Sequence, residues 1–207
     1  DRIGDWSSDV CSSDLIKNSA TDTTQPIVPF SANIVIYNSH PNESYPSGIK
    51  VTDVGALIND KLVKEGFNSH FVKVNPSKNY NNSYSATRNM ITKNVKQYSN
   101  TILLDIHRDG IPIKSKSNTK IIEFAVTQKN PRYKANKRFV DSLIGNIKGS
   151  NVVETKIWLY QYGISFYNQD LSNNSALIEI GNNTSSDSDI EARSEERRVG
   201  KECSQGV

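Results

Sequence analysis

Apolar positions along the chain follow two rhythms. "ANIVIYNS" (32–39), "TILLDI" (101–106) and "SALIEIG" (175–181) are continuous β-branched runs, the pattern of strands buried on both faces. "FNSHFVKV" (67–74) alternates, predicting a strand with one wet face, and "TKIIEFAVTQ" (119–128) and "VVETKIWLYQYG" (152–163) predict two more strands. Between them the spacing turns helical. "VTDVGALINDKLVKEG" places Val54, Leu57, Ile58 and Leu62 on one stripe, with Gly66 as its C-cap. "SATRNMITKNVKQYS" predicts a second helix capped by Ser85, and "PRYKANKRFVDSLIGNIKG" a third, opened by a proline with Gly149 past its end. "DSDIEA" (187–192) reads as the start of a fourth. Strands alternating with helices predict a three-layer α/β/α sandwich with a mostly parallel central sheet.

The two ends do not share this patterning. "DRIGDWSSDVCSSDL" (1–15) and "RSEERRVGKECSQGV" (193–207) lack apolar periodicity and resemble translated sequencing-adapter segments, so they are set aside from fold reasoning. Residues 16–31, rich in Thr, Ser and Pro, read as a linker, and 32–192 as one domain whose last helix is expected to be cut short. Both cysteines, Cys11 and Cys203, fall in the set-aside ends, so no disulfide or thiolate ligand is expected. Those ends hold five of 25 Lys+Arg and seven of 22 Asp+Glu, which leaves 20 against 15, a mild basic excess suited to an anionic polymer and equally common on solvated surfaces. About 175 residues give one domain with room for a core. No apolar run is long enough to cross a bilayer.

In open α/β sheets, ligands gather at the carboxyl ends of strands. His40 follows "IVIYNS", His107 ends "ILLDI", and Glu179 lies near the end of "ALIEI"; Glu43 reaches the same place through the turn after His40. Two imidazoles and a carboxylate are a ligand set for catalytic zinc, a metal that brings the pKa of its water to roughly 7 and polarises a carbonyl. His40, Glu43 and His107 are therefore the candidate metal ligands, and Glu179 the candidate general base. Each has a plainer competitor: a surface His–Glu pair at His40, a buried ion-pair partner at Glu179. Arg108 suits an oxyanion or a substrate carboxylate, with a structural ion pair as an equal alternative. His70, inside the wet strand, reads as structural.

Six ordered stretches, "IYNSHPNESY", "NNSYSATR", "LLDIHRDG", "NPRYKANKRF", "YNQDLS" and "ALIEIGNN", resemble the motifs of the stage II sporulation protein P family. The resemblance spans nearly all of the central segment. It implies an amidase-like fold and a zinc-dependent peptidoglycan hydrolase that cleaves the amide between N-acetylmuramic acid and L-alanine, and also bonds within the stem peptide. It places the family's motifs on His40, Glu43, His107 and Glu179, and implies substrate contacts at Asp109, Asn168 and Gln169. Asn38 departs from the pattern, standing where many members have a first histidine. The resemblance further implies an extracytoplasmic, membrane-tethered parent acting in engulfment with stage II sporulation proteins D and M. Two rivals are a carboxypeptidase-like zinc hydrolase and a catalytically silent wall-binding module.

Overall fold

The computed structural model describes residues 33–75, 77, 79–112, 120–147 and 154–190. The linker, both ends and the Gly149 cap lie outside these residues. Six strands form one sheet: β1 (Asn33–Tyr37), β2 (Ser69–Phe71), β3 (Thr101–Asp109), β4 (Ile121–Thr127), β5 (Glu154–Tyr160) and β6 (Asn174–Asn182). Their spatial order is β2-β1-β3-β6-β4-β5. All neighbours are parallel except β4 and β6, which run antiparallel, so β4 and β5 point opposite to the other four strands. The mostly parallel expectation holds; the reversal of two strands was not visible in the periodicity.

Helices cover both faces, as a buried parallel sheet requires. On one face α1 (Val51–Lys64) and α3 (Tyr133–Ile147) pack Val54, Leu62, Phe139 and Val140 against Ile34, Ile36, Leu104, Phe124 and Ile180. On the other, α2 (Ser83–Asn94) packs Ile91 against Val35, Tyr37 and Leu103. The continuous runs of β1 and β3 supply both cores at once, because successive side chains leave a strand on opposite sides.

Several boundaries differ from expectation. Leu57 is 37% exposed and stands off the α1 stripe, which Val51, Val54 and Leu62 bury instead. The helix expected from Ser85 starts at Ser83, leaving Ser85 inside it. The alternating strand pairs over three residues only, Ser69–Phe71, and His70 is exposed there. β3 does not end at His107 but continues to Asp109, with a register shift between the two. A helical turn at 187–190 begins where "DSDIEA" predicted, capped by Ser186 and Asp189, each accepting from the other's backbone N–H, and Ile190 is 3% exposed in the α1/α3 core.

The segment before β6 has a backbone of uncommon hand. Ser165, Phe166, Tyr167 and Asn168 all have φ between 50° and 59°, a left-handed turn that disfavours L-residues by roughly 1–2 kcal/mol each. Side chains from distant motifs hold it. Arg88 of α2 forms a two-pronged ion pair with Asp170 at 2.8 and 2.7 Å, Arg132 Nε donates to the Asp170 carbonyl, and Asn136 of α3 donates to the Ser172 carbonyl. Gly163 opens the turn at φ 68°; a Cβ there would stand 2.8 Å from both Thr127 and the Tyr167 ring. The turn places Ile164 and Tyr167 in the cleft described next.

Candidate metal centre and active-site cleft

β1 ends at Tyr37, and the chain turns through Pro41 and Asn42, with the Glu43 N–H donating to the His40 carbonyl. The turn brings the Glu43 carboxylate back over His40, and β3, the parallel neighbour of β1, carries His107 to the same point. His40 Nδ1 lies 3.6 Å from Glu43 Oε1, and His107 Nδ1 lies 3.4 Å from Glu43 Oε2. One ligand atom from each of the three residues falls within 4.8 Å of the others. Both imidazoles are buried, at 7% and 3% exposure, and neither nitrogen of His40 makes a well-formed hydrogen bond. The Tyr80 ring stacks on His40 at 3.9 Å and shields it from solvent.

The two imidazoles and the carboxylates beside them shift one another's protonation. Burial pushes the His40 pKa down, reinforced by His107 and opposed by Glu43, Asp105 and a backbone contact at Tyr80. Burial pulls His107 down too, but the Asp105 and Glu43 carboxylates outweigh it and hold its pKa well above the ordinary imidazole value. Burial raises Glu43, yet its contacts with His107, the Arg108 N–H and His40 bring it below the usual carboxylate range.

Asp105 is the support beneath. It is fully buried, accepts from the Ser39 N–H at 2.8 Å and from the Ser39 hydroxyl, and its Oδ1 lies 2.8 Å from His107 Nε2, close but off the line of a straight hydrogen bond. It thus ties the residue preceding His40 to the far side of His107, leaving Nδ1 turned toward Glu43. Asn38 faces the other way: its Nδ2 donates to the Val51 and Ile106 carbonyls on the α1 side, and a Cβ on Gly55 would come 3.2 Å from its Oδ1. The residue at the first-histidine position therefore braces α1 and is outside the ligand cluster.

Glu179 stands beside His107 as its register partner on β6, and Glu123 stands beside Glu179 on β4. In-register neighbours share a sheet face. All three, with Asp105, point to the α2 side. Glu179 and His107 line a cleft of ≈ 460 Å³ with Glu43, Arg108, Asp109, Tyr84, Tyr160 and Tyr167. Burial dominates the Glu179 environment; with Asp109, Glu43 and Glu123 adding to it and His107 opposing, its pKa is raised to about 7. Its Oε2 is buried without a hydrogen-bond partner. Glu123, in contrast, accepts from the Trp158 indole N–H at 2.8 Å and lies 3.6 Å from Lys156 Nζ.

The structure therefore brings Glu43, His107 and Glu179 to one cleft, along with Asp109, and clusters His40 with Glu43 and His107. Arg108 reaches the cleft wall, but its Nε donates to the Ser44 carbonyl and its Nη1 to the Asp109 carbonyl, so much of its guanidinium is spent on tying down the loop that carries Glu43. Asn168 and Gln169 require correction. Both are fully buried: Gln169 donates to the Ala125 carbonyl and accepts from the Thr127 N–H and hydroxyl, and Asn168 donates to the Tyr84 carbonyl. They hold the left-handed turn in place and offer no surface to a substrate. Asp105, Glu123 and Tyr84 went unremarked in the sequence. A carboxylate two residues before a candidate ligand on the same strand was the available signal for Asp105, since period two puts both on one face.

The fold and site define an α/β protein with a buried two-histidine, one-carboxylate cluster and a second carboxylate beside it in one cleft. A profile of the family described as Stage II sporulation protein P (SpoIIP) matches residues 11–195. The chain belongs to that family. Membership supports a peptidoglycan hydrolase, the class expected from the motifs. No sequence among the curated proteins matches it. Similar solved structures include an N-acetylmuramoyl-L-alanine amidase from Clostridium difficile 630 (15% identity, 86% of this chain and 100% of that one, TM-score 0.49). The catalytic domain of the CD27L endolysin targeting Clostridia Difficile is 14% identical over 82% and 93% of the two chains (TM-score 0.48), and the amidase AmiC2 of Nostoc punctiforme 12% over 84% and 93% (TM-score 0.42).

Proposed function

We propose that the chain is a zinc-dependent peptidoglycan amidase that hydrolyses the amide between the muramic acid lactyl group and L-alanine. The observation that carries this reading is the convergence of His40, Glu43 and His107 on one point with Glu179 as the next in-register side chain. The residues fit the metal. A buried imidazole with no well-formed hydrogen bond, facing a carboxylate shared with a second buried imidazole, leaves polar groups poorly paired at a cost of about 1–3 kcal/mol unless a cation takes them up. His40, Glu43 and His107 would hold the zinc, which when bound supplies Lewis acidity to a carbonyl and eases the ionisation of water.

The remaining roles belong to the chain's own groups. Glu179, with a pKa raised to about 7 and an unpartnered Oε2, accepts a proton from water and returns it to the departing amine nitrogen of L-alanine. Asp105 and Ser39 keep His107 and the His40 turn in register. Tyr80 and Tyr84 wall the ligand corner off from bulk solvent. Family membership extends the proposal to an extracytoplasmic role in engulfment, alongside stage II sporulation proteins D and M. Among the described residues no helix is long and apolar enough to cross a membrane.

Digestion of purified peptidoglycan with the zinc-loaded protein tests the proposal. New amino termini should be L-alanine, with free muramoyl carboxyl groups and no new reducing ends. New termini confined to other stem-peptide residues would replace the amidase reading with an endopeptidase one.

A further inference from the structure

The exposed apolar surface of the described residues is unevenly placed. Seven large hydrophobic side chains are exposed, and four of them, Trp158, Leu159, Tyr160 and Tyr162, fall within five consecutive positions, at 43%, 48%, 41% and 56%. They lie on β5 and just beyond it. β5 is the last strand of the sheet, and no described strand pairs with its outer edge. Contiguous exposed apolar groups on a folded domain mark a binding surface more often than scattered ones do.

Register says which way they face. Lys156, Trp158 and Tyr160 pair with Glu123, Ala125 and Thr127, so they stand on the same side of the sheet as Glu179, and Leu159 stands on the other. Trp158 is held in place: its N–H is committed to the buried Glu123, and Lys156 Nζ sits 3.5 Å over its ring centroid. An exposed indole fixed from beneath is preorganised, because little rotamer freedom is left to lose on binding. The strip is also continuous with the cleft. Tyr160 lines the cleft and meets the Tyr167 ring at 5.8 Å; Tyr167 meets Tyr84 at 5.1 Å, and Tyr84 meets His40 at 5.0 Å.

We propose that Trp158, Tyr160 and Tyr162 form a stacking platform for the glycan strand, leading away from the scissile bond along β5. This rests on the reading of the cleft as a muramoyl amidase site. The amide to be cut has a sugar on one side and a peptide on the other, so glycan must leave the cleft in one direction. A pyranose presents a flat apolar face of C–H groups ringed by hydroxyls, which matches an aromatic ring with amphipathic edges. The stem peptide, with its carboxylates and short side chains, has no flat face to offer these rings. Lys156, next to Trp158, adds a donor for sugar oxygens.

Trp158 is one of two tryptophans in the chain, so the variant Trp6→Phe makes its emission the only indole signal. Titration of that variant with peptide-free strands of alternating N-acetylglucosamine and N-acetylmuramic acid should shift the emission saturably. Tyr162→Ala should weaken binding about three- to tenfold, the range of an aromatic contact, whereas Leu159→Gln on the opposite face should leave it unchanged. On glycan-linked stem peptides, Trp158→Ala should raise KM far more than it lowers kcat. Trp158→Phe, which keeps a ring but loses the Glu123 hydrogen bond, should recover most of the KM. If the platform's partner is instead a second copy of the chain, emission will follow protein concentration and ignore glycan, and the proposal falls. It falls equally if Leu159→Gln weakens glycan binding as much as Tyr162→Ala does. Saturable glycan binding by a protein that cleaves no muramoyl amide would uphold the platform and remove only the amidase reading.

Discussion

Two corners of this molecule are built from buried polar side chains, and they use them in opposite ways. Around the left-handed turn, Gln169 makes three hydrogen bonds from its amide, Asp170 is gripped by Arg88, and Asn136 reaches the Ser172 carbonyl. Around His107, neither nitrogen of His40 makes a well-formed hydrogen bond and Glu179 has a buried oxygen without a partner. Satisfied groups of this kind fix a backbone in an unfavourable shape. Unsatisfied ones store an unmet demand for a cation or a proton. Both corners contain family-like motifs, so motif content alone does not separate scaffold from chemistry; what sets the site apart is that its unpartnered buried atoms, His40 Nδ1 and Nε2 and Glu179 Oε2, belong to titratable groups, whereas the turn's one such atom, Asn168 Oδ1, belongs to an amide.

The strongest test of that contrast removes a ligand. His107→Ala should lose both bound zinc, measured by metal analysis after dialysis, and peptidoglycan cleavage, by about 10²–10³-fold or more. Retained stoichiometric zinc would take His107 out of the ligand set. Glu179→Gln should slow cleavage by about 10²–10⁴-fold while zinc stays bound, because it moves a proton and is not a ligand. The same variant carries a pH signature in the metal-free protein. Glu179 titrates at about 7 when folded against 4.5 as the ordinary value, so the native state keeps a proton that the unfolded chain releases. Its contribution to stability is thus lost as pH rises through that window. Glu179→Gln should unfold at a higher temperature than the parent at pH 8, with the gap closing by pH 5. A gap that instead widened toward acid would reverse the assignment.

Smaller effects probe the supports. Asp105→Asn should weaken zinc affinity by about 10–100-fold, as removal of a group orienting a ligand does, and competition with a chelating dye reads this without reference to turnover. Unchanged affinity would reduce Asp105 to a tie between β1 and β3. Gln169→Ala should cost about 1–3 kcal/mol of stability through unpaired backbone groups, measured by denaturant unfolding, and leave zinc stoichiometry intact. Lost zinc without lost stability would mean that the turn belongs to the site after all.

Much of the site was readable along the chain because local periodicity reports on it. A continuous apolar run interrupted by a histidine or glutamate is anomalous wherever it occurs, and His40, His107 and Glu179 each interrupt or end such a run. Glu43 followed because a three-residue step through a proline turn can only fold back. The stretches "NNSYSATR", "NPRYKANKRF" and "YNQDLS" were harder. Their polar residues meet one another across the fold, Arg88 with Asp170 over 82 positions and Arg132 with Asn173 over 41, and no local pattern states that a polar group's partner is already waiting. The family resemblance points Asn168 and Gln169 toward substrate, and nothing local reveals that both amides are already taken up by the fold.

The sequence by itself determined which segments form strands and helices, to within a few residues at their ends, and, through period two, which side of its strand each residue takes. Only the tertiary structure decided which strands became neighbours. The placement of β6 between β3 and β4 sets Glu179 next to His107, 72 positions away, and the reversal of β4 and β5 brings Glu123 and the Trp158 strip to the same face. The cause is the non-directional character of apolar burial: β4 could cover its two faces equally well pointing either way. Its direction is settled by the packing of whole layers and the pairing of every backbone group, which no single stretch of chain contains.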